Sequence, residues 1–287
     1  MAPDLADPNE TIADMDIVLK VQKPKNVWEF YIASELHRRL ANSKDSQWFM
    51  SIPRCFVYND GSIFVSERHP YSLLDVCNKV PQLDGQAVRE VLAAYFGIEL
   101  LIILEKLHQA KIIHGDIKPD NFLVQRIPTV NIQASSASDM FSSINPALIL
   151  IDFGISVDMS LFPQGTEFTH AFEAKDIRTP EMIEGKKWSY QVDYFGVASI
   201  LYTLLFGSYM KMNKNAEGLY MPQGQMKRWW SATVWNSFFK SFLNIESSSS
   251  LPDVVSTRKS FEELIFKKHR TTFNQVASTL SIGMRRK

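Results

Sequence analysis

Two short stretches of the sequence decide the fold: HGDIKPDNFLV at residues 114–124 and LILIDFG at residues 148–154. The first places Asp116 and Asn121 in one loop, directly before a short apolar run. The second places Asp152 directly after an apolar run, with a glycine two residues later that permits a sharp turn. Carboxylate and amide oxygens are ligands that Mg²⁺ prefers, and a carboxylate can also accept the proton of an attacking hydroxyl. The two stretches are therefore typical of a site for phosphoryl transfer.

In this order, the two stretches resemble the catalytic loop and the metal-binding turn of protein kinases. The resemblance implies that the catalytic base is Asp116, the γ-phosphate contact Lys118, one magnesium ligand Asn121 and the main magnesium ligand Asp152. Lys118 also favours Ser/Thr substrates, because tyrosine kinases usually have no lysine at this position. Leu123 corresponds to the residue that forms the floor of the adenine pocket.

Upstream, Val18-Leu19-Lys20-Val21 resembles the kinase strand whose lysine contacts the α- and β-phosphates of ATP. Such a lysine needs a carboxylate partner from the following helix. We expect Glu29 to be that partner, with Glu35 as the alternative. The resemblance also assigns Glu67, where two lobes join, to the nucleotide site. ATP and Mg²⁺ are the implied substrate and metal.

The region after Asp152 resembles a kinase activation segment. Thr179-Pro180-Glu181 corresponds to the motif that closes this segment, which we expect at residues 152–181. Asp193 corresponds to a buried aspartate that holds the backbone of the catalytic loop, and we expect His114 to be a packed structural residue. Gly115 stands where many kinases have an arginine that pairs with a phosphorylated residue. We therefore expect that activation does not depend on a phosphate held at that position.

The order of the predicted elements indicates an α+β, bilobal, protein-kinase-like fold. A small β-rich lobe at residues 1–68 has one strand, one helix running to about Leu40 and a hairpin turning at Asn59-Asp60-Gly61. A larger, mainly helical lobe at residues 69–287 is predicted to have helices at 86–110, 192–207 and 229–243. The polar residues 125–147 are predicted to form a flexible surface insertion.

Composition excludes several classes of protein. The chain has 287 residues, of which 45% are hydrophobic, so it can bury a substantial core and is not a disordered or collagen-like chain. Its 31 basic and 31 acidic side chains cancel, which gives no electrostatic reason to bind nucleic acid or an anionic membrane. Cys55 and Cys77 do not have the spacing of metal ligands, and we expect buried thiols in a reducing compartment. A soluble intracellular protein is expected.

Several strings are more particular than a generic kinase. They are VLKVQKP at 18–24, WEFY at 28–31, DMSLFP at 158–163 and DYFGVA at 193–198, together with His-Gly-Asp at 114–116. With them the chain resembles the Bub family of spindle-assembly-checkpoint kinases. The resemblance implies a mitotic Ser/Thr kinase of the nucleus and cytoplasm that acts at kinetochores. Its partners would be checkpoint proteins, and its protein substrates would include a histone tail, with no direct nucleic-acid or membrane partner.

The glycine-rich loop of a kinase is missing from the pattern, because the first glycine of the chain is Gly61. We expect an N-terminally truncated small lobe rather than a degenerate kinase, since every downstream catalytic position is intact. Two alternatives remain at this point. One is a pseudokinase scaffold of the same checkpoint that does not turn over ATP. The other is a small-molecule phosphotransferase, which also uses a His-Gly-Asp motif but rarely has the equivalent of Lys118.

Overall fold

The computed structural model of the chain describes residues 16–83, 88–169 and 178–285. The first lobe is built on a hairpin of β2 (Arg54–Val57) and β3 (Ser62–Glu67), which pair antiparallel as the Asn-Asp-Gly turn predicts. The strand β1 (Ile17–Gln22) pairs antiparallel with the other edge of β3, so that the sheet order is β1-β3-β2. The register places Lys20 opposite Phe64.

Among the described residues of this lobe, one long helix, α1 (Trp28–Arg39), accompanies the sheet. Its apolar positions Ile32, Ala33 and Leu36 share one face at helical spacing and are buried in the core. Glu29 is buried as well, in the first turn. The prediction of one helix ending near Leu40 is confirmed.

The second lobe is mainly helical and surrounds one central helix. Its helices are α2 (Leu73–Lys79), α3 (Val88–Gln109), α4 (Ala137–Met140), α5 (Pro180–Ile183), α6 (Gln191–Phe206), α7 (Ala232–Leu243), α8 (Val254–Leu264) and α9 (Phe273–Arg285). Its strands are β4 (Tyr71–Ser72), β5 (Ile112–Ile113), β6 (Phe122–Val124), β7 (Leu148–Leu150), β8 (Val157–Asp158), β9 (Met212–Lys214) and β10 (Tyr220–Pro222). Buried side chains occur all round α3, as expected of a core helix, and α6 and α8 pack against it.

Short strands bring the two motif stretches together. β6 follows the catalytic-loop motif, β7 precedes the second motif, and they pair antiparallel with Leu123 opposite Ile149. The order of this small sheet is β4-β6-β7, and a second pair joins β5 to β8. Beyond the paired strands, the backbone N–H of Ile151 donates to the carbonyl of Asn121 at 2.9 Å. This bond brings Asn121 close to Asp152, the residue after Ile151.

The segment 125–147 differs from the sequence-based expectation of a flexible surface insertion. It contains α4, and its residues Ala134, Met140 and Phe141 are buried in the main core. The guanidinium of Arg270 also donates to the carbonyl of Ile132 at 2.5 Å. The prediction was wrong for this buried part, because the apolar residues are spaced among serines and asparagines and the polar composition hides them.

Both cysteines are free, as expected, but the prediction of two buried thiols holds only for Cys77, because Cys55 on β2 is half-buried. Cys77 lies buried on α2, and its burial raises the pKa of the thiol to about 12. Within the part of the chain that the structure describes, no helix combines the length and the apolar character needed to cross a membrane.

Candidate active site

A cleft between the two lobes holds most of the predicted site residues. It has a volume of about 500 Å³, and its lining includes Lys20, Glu29, Glu67, Leu123 and Asp152. The remaining lining is largely apolar and includes Val18, Met50, Ile52 and Phe64. An apolar cavity with a few polar groups at one end suits a ligand that has a flat base and a charged tail.

Lys20 lies at the centre of the polar end of this cleft. Its Nζ donates to both carboxylate oxygens of Glu29, at 3.0 and 2.8 Å, and to Oδ1 of Asp152 at 2.8 Å. Glu35 does not reach this site, because its carboxylate binds Arg38 and Arg39 on its own helix. Of the two carboxylates considered from the sequence, the structure therefore places Glu29 against the lysine.

The charges at this end of the cleft influence one another. Burial raises the pKa of Glu29 above its ordinary value, although the bond from Lys20 opposes the shift. Burial acts in the same direction on Asp152, but there Lys20 outweighs it and the pKa lies below the ordinary value. Burial alone would lower the pKa of Lys20, yet its bonds to Asp152 and Glu29 prevail and raise it. The group is thus a charged cluster of one lysine and two carboxylates.

The residues of the predicted catalytic loop form a second cluster around Asp116. Nζ of Lys118 lies 2.7 Å from Oδ2 of Asp116. The side-chain amide of Asn121 donates to the same oxygen at 3.0 Å and to the Asp116 carbonyl at 2.8 Å. The structure therefore brings together the three residues that the sequence placed in this loop, with the Asp116 carboxylate held between an ammonium and an amide.

The backbone of this loop is held in place by a residue of α6. The buried carboxylate of Asp193 accepts the backbone N–H groups of His114 and Gly115, each at 2.9 Å. The His114 ring packs edge-on against Phe153 with ring centroids 5.5 Å apart, and its Nε2 lies 3.0 Å from the Ile151 carbonyl. Asp193 and His114 therefore support the site and do not line the cleft.

The geometry around Asp152 suits a divalent metal. Asp152 has φ of +65°, a strained conformation for a residue with a side chain, and such strain is concentrated at functional sites. Its side chain is 43% exposed towards the cleft. Asn121 lies beside it through the hydrogen bond to Ile151, and the nitrogen end of the Asn121 amide is directed to Asp116. The Asn121 side chain also carries an amide oxygen, and amide and carboxylate oxygens are ligands that fit Mg²⁺.

Sequence reasoning missed a set of contacts between α1 and the start of the predicted activation segment. The guanidinium of Arg39 binds the carboxylate of Asp158, the Tyr31 hydroxyl donates to the same carboxylate, and the Trp28 indole donates to the carbonyl of Ser156. The only sequence signal was that Asp158 opens the DMSLFP string. Thr179 caps α5 through the Met182 N–H, whereas residues 170–177 of the predicted activation segment lie outside the described residues.

Comparison with known proteins agrees with this geometry. Residues 20–276 match the family described as protein kinase domain. The mitotic checkpoint serine/threonine-protein kinases BUB1 of Mus musculus and of Arabidopsis thaliana are 36% and 37% identical, over 94% and 91% of this chain. The chain spans 25% and 49% of the length of these two relatives. A solved structure of the BubR1 kinase domain superposes with a TM-score of 0.85 at 31% identity, over 94% of this chain and 78% of that one. The chain therefore belongs to the protein kinase family, within its Bub branch.

Proposed function

We propose that this chain is a Ser/Thr protein kinase that transfers the γ-phosphate of ATP to a protein hydroxyl. The observation that carries the proposal is the contact of Lys20 with both Glu29 and Asp152, at 2.8 Å each for the shortest distances. This contact joins β1, α1 and the turn after β7 into one site. Asp116 and Lys118 form the adjoining cluster in the catalytic loop. Members of the family named as serine/threonine kinases support the same chemistry.

ATP would lie with its base against the apolar lining of the cleft, above Leu123, and with its phosphates towards Lys20. Glu67 lies on the same lining, at the end of β3. Asp152 and Asn121 would hold Mg²⁺, which supplies charge neutralisation for the phosphates when it is bound. Lys20 orients the α- and β-phosphates, and Glu29 holds Lys20 in place.

In the transfer step, the substrate oxygen forms a bond to the γ-phosphorus while the bond between that phosphorus and the bridging oxygen breaks. ADP leaves with the electron pair of the broken bond. Asp116 orients the attacking hydroxyl and accepts its proton. Lys118, which lies 2.7 Å from the Asp116 carboxylate, steadies the transferred phosphoryl group from the same side.

We further propose a role for the chain in the mitotic spindle assembly checkpoint, at kinetochores of dividing cells, with a nuclear and cytoplasmic distribution. The names of the relatives, which are mitotic checkpoint kinases, support this role. The proposed partners are checkpoint proteins, and the proposed substrates are proteins that include a histone tail.

The proposed small lobe comprises residues 1–68 and the large lobe residues 69–287, with the activation segment at 152–181. The end of β3 at Glu67 and the start of β4 at Tyr71 support the boundary.

The acceptor of the phosphate tests this proposal. Native chain and the variant Asp116→Asn are incubated with Mg-ATP labelled on its γ-phosphate, and with either core histones or small alcohols such as choline and an aminoglycoside. We expect label on serine or threonine of the histones with native chain, and a loss of at least about 100-fold with Asp116→Asn. Label on a small alcohol alone would favour the small-molecule phosphotransferase. Nucleotide binding with no transfer to any acceptor would favour the pseudokinase scaffold.

A further inference from the structure

The start of the activation segment carries a carboxylate that is fully enclosed. Asp158 lies in β8, and its side chain has no exposed surface. Its Oδ1 accepts the backbone N–H and the hydroxyl of Ser160, at 3.0 and 2.7 Å. Burying a carboxylate costs free energy unless an opposite charge and hydrogen bonds compensate for the lost water. Asp158 therefore needs a cation and several hydrogen-bond donors around it.

The compensating charge comes from the other lobe. Arg39, in the last turn of α1, donates from Nη1 to Oδ1 of Asp158 at 2.9 Å and from Nη2 to Oδ2 at 2.6 Å. This is the two-pronged geometry that guanidinium and carboxylate groups form with each other. The Tyr31 hydroxyl adds a third bond, to Oδ2 at 2.8 Å. α1 therefore contacts Asp158 through side chains that are two turns apart.

A further contact lies at the other end of α1. The Trp28 indole donates to the carbonyl of Ser156 at 2.7 Å, two residues before Asp158, and its ring stacks on Tyr31. The next residue is Glu29, whose carboxylate holds Lys20. The position of Glu29 is thus set by a helix that is attached to the segment 156–158 along its length. β8 in turn is fixed to the second lobe by its pairing with β5.

This attachment does not use the device that many kinases employ. Gly115 has no side chain with which the catalytic loop could hold a phosphorylated residue of the activation segment. The carboxylate of Asp158 is a permanent negative charge, and it already has a bidentate cation from α1. The activation segment is also fixed at Phe168, which forms a two-bonded antiparallel bridge with Trp188.

We propose that Arg39 and Asp158 are positioning residues, which hold α1 against the start of the activation segment and thereby keep Glu29 in contact with Lys20. The inference rests on the proposed function for its catalytic consequence, and on the contacts alone for its structural one. Neither residue lines the cleft or contacts the reacting groups, so their effect on transfer passes through the helix. Loss of either partner lets α1 move away from the cleft.

The test compares two matched losses of charge beside the same guanidinium. Asp158→Asn removes the carboxylate that joins Arg39 to the activation segment, whereas Glu35→Gln removes a carboxylate that Arg39 contacts within α1. Backbone hydrogen exchange is followed over α1, at residues 28–39, and over α3 as an internal measure of folding. Transfer of labelled γ-phosphate to core histones is measured on the same samples.

We expect Asp158→Asn to speed exchange in α1 by at least about tenfold with α3 unchanged, and to lower turnover by a similar factor. Glu35→Gln should change both by less than about twofold. Arg39→Lys keeps the charge but not the two-pronged geometry, so it should retain more turnover than Arg39→Gln. If Arg39 and Asp158 contributed only to global stability, variants of equal thermal stability would have equal turnover and would not show this ranking.

The proposal is overturned if Asp158→Asn leaves α1 exchange and turnover within about twofold of the native values. It is equally overturned if exchange rises as much in α3 as in α1, because the loss is then one of global stability. Where Asp158→Asn does not fold, the comparison of Arg39→Lys with Arg39→Gln decides the matter by the same two readouts. If the native chain transfers no phosphate, the proposed function is contradicted. The exchange data would still decide whether Arg39 and Asp158 hold α1 against the segment 156–158.

Discussion

Gly196, on α6, touches the proposed catalytic loop so closely that one added methyl group should displace this loop. A Cβ at this position would lie 2.5 Å from the carbonyl oxygen of Ile117 and closer still to the Ile117 Cβ. Cβ atoms essentially never come within 3.0 Å of such neighbours, so the loop must move by at least about 0.5 Å, and by about 1 Å for a relaxed contact. Ile117 stands between Asp116 and Lys118, and these two residues would move with it.

The expected result of Gly196→Ala is therefore a defect in turnover. A displacement of about 1 Å in catalytic groups can cost about 100-fold, so we expect kcat to fall by about 10- to 100-fold. The KM for ATP should change little, because Lys20 and the apolar lining of the cleft lie on other elements. Overpacking should also cost about 1–3 kcal/mol of unfolding free energy.

A matched substitution separates the two effects. Gly97→Ala, on α3, would place its Cβ 2.9 Å from the Phe261 ring, so it also overpacks a buried helix, but it does not touch the catalytic loop. Steady-state transfer assays and urea unfolding are run on both variants. If Gly196→Ala keeps kcat within about twofold of the native value, or if both variants lose kcat in proportion to stability, the reasoning about the loop is refuted.

Three further outcomes are expected. Glu29→Gln removes the charge that holds Lys20, and radiometric assays should show kcat/KM for ATP falling by about tenfold or more, whereas unchanged values would contradict the pairing. Burial raises the pKa of Glu99 to about 7 from an ordinary 4.5, so the stability it contributes is present below pH 4.5 and is lost as the pH rises through 7. In urea unfolding, the free energy of unfolding of the native chain should fall by on the order of 3 kcal/mol relative to that of Glu99→Gln between pH 4 and 8. A difference between the two free energies that stays constant with pH would refute this. Iodoacetamide at pH 8 should leave the buried Cys77 unmodified in the folded chain and label it after unfolding, as read by mass spectrometry; rapid labelling of the folded chain would contradict its burial.

Much of the candidate site could be predicted because its chemistry is local in sequence. Asp116, Lys118 and Asn121 lie in one loop of six residues, so their spacing already places them together. The partner of Lys20 could be narrowed to two residues of the following helix, and one turn and a half of helix separates these two. The structure chooses Glu29 because it lies in the first turn of α1, nearest to β1.

The remaining features depend on contacts between distant parts of the chain. Arg39 and Asp158 are 119 residues apart, and neither belongs to a motif whose chemistry is evident from spacing. The buried part of segment 125–147 was missed for a related reason. Its apolar side chains are few, and only the structure shows that α4 packs against α8. Composition reports the average polarity of such a segment and carries no information on its partners.

The most direct test of the central claim is a single-turnover transfer of labelled γ-phosphate from Mg-ATP to core histones, by native chain and by Asp152→Asn. Asp152 is the main proposed metal ligand and also contacts Lys20. The variant therefore removes the negative charge that the metal and Lys20 would both bind. We expect phosphoserine or phosphothreonine with native chain and a loss of at least about 100-fold with the variant. Equal transfer by the two proteins would contradict the assignment of this cleft as the site of phosphoryl transfer.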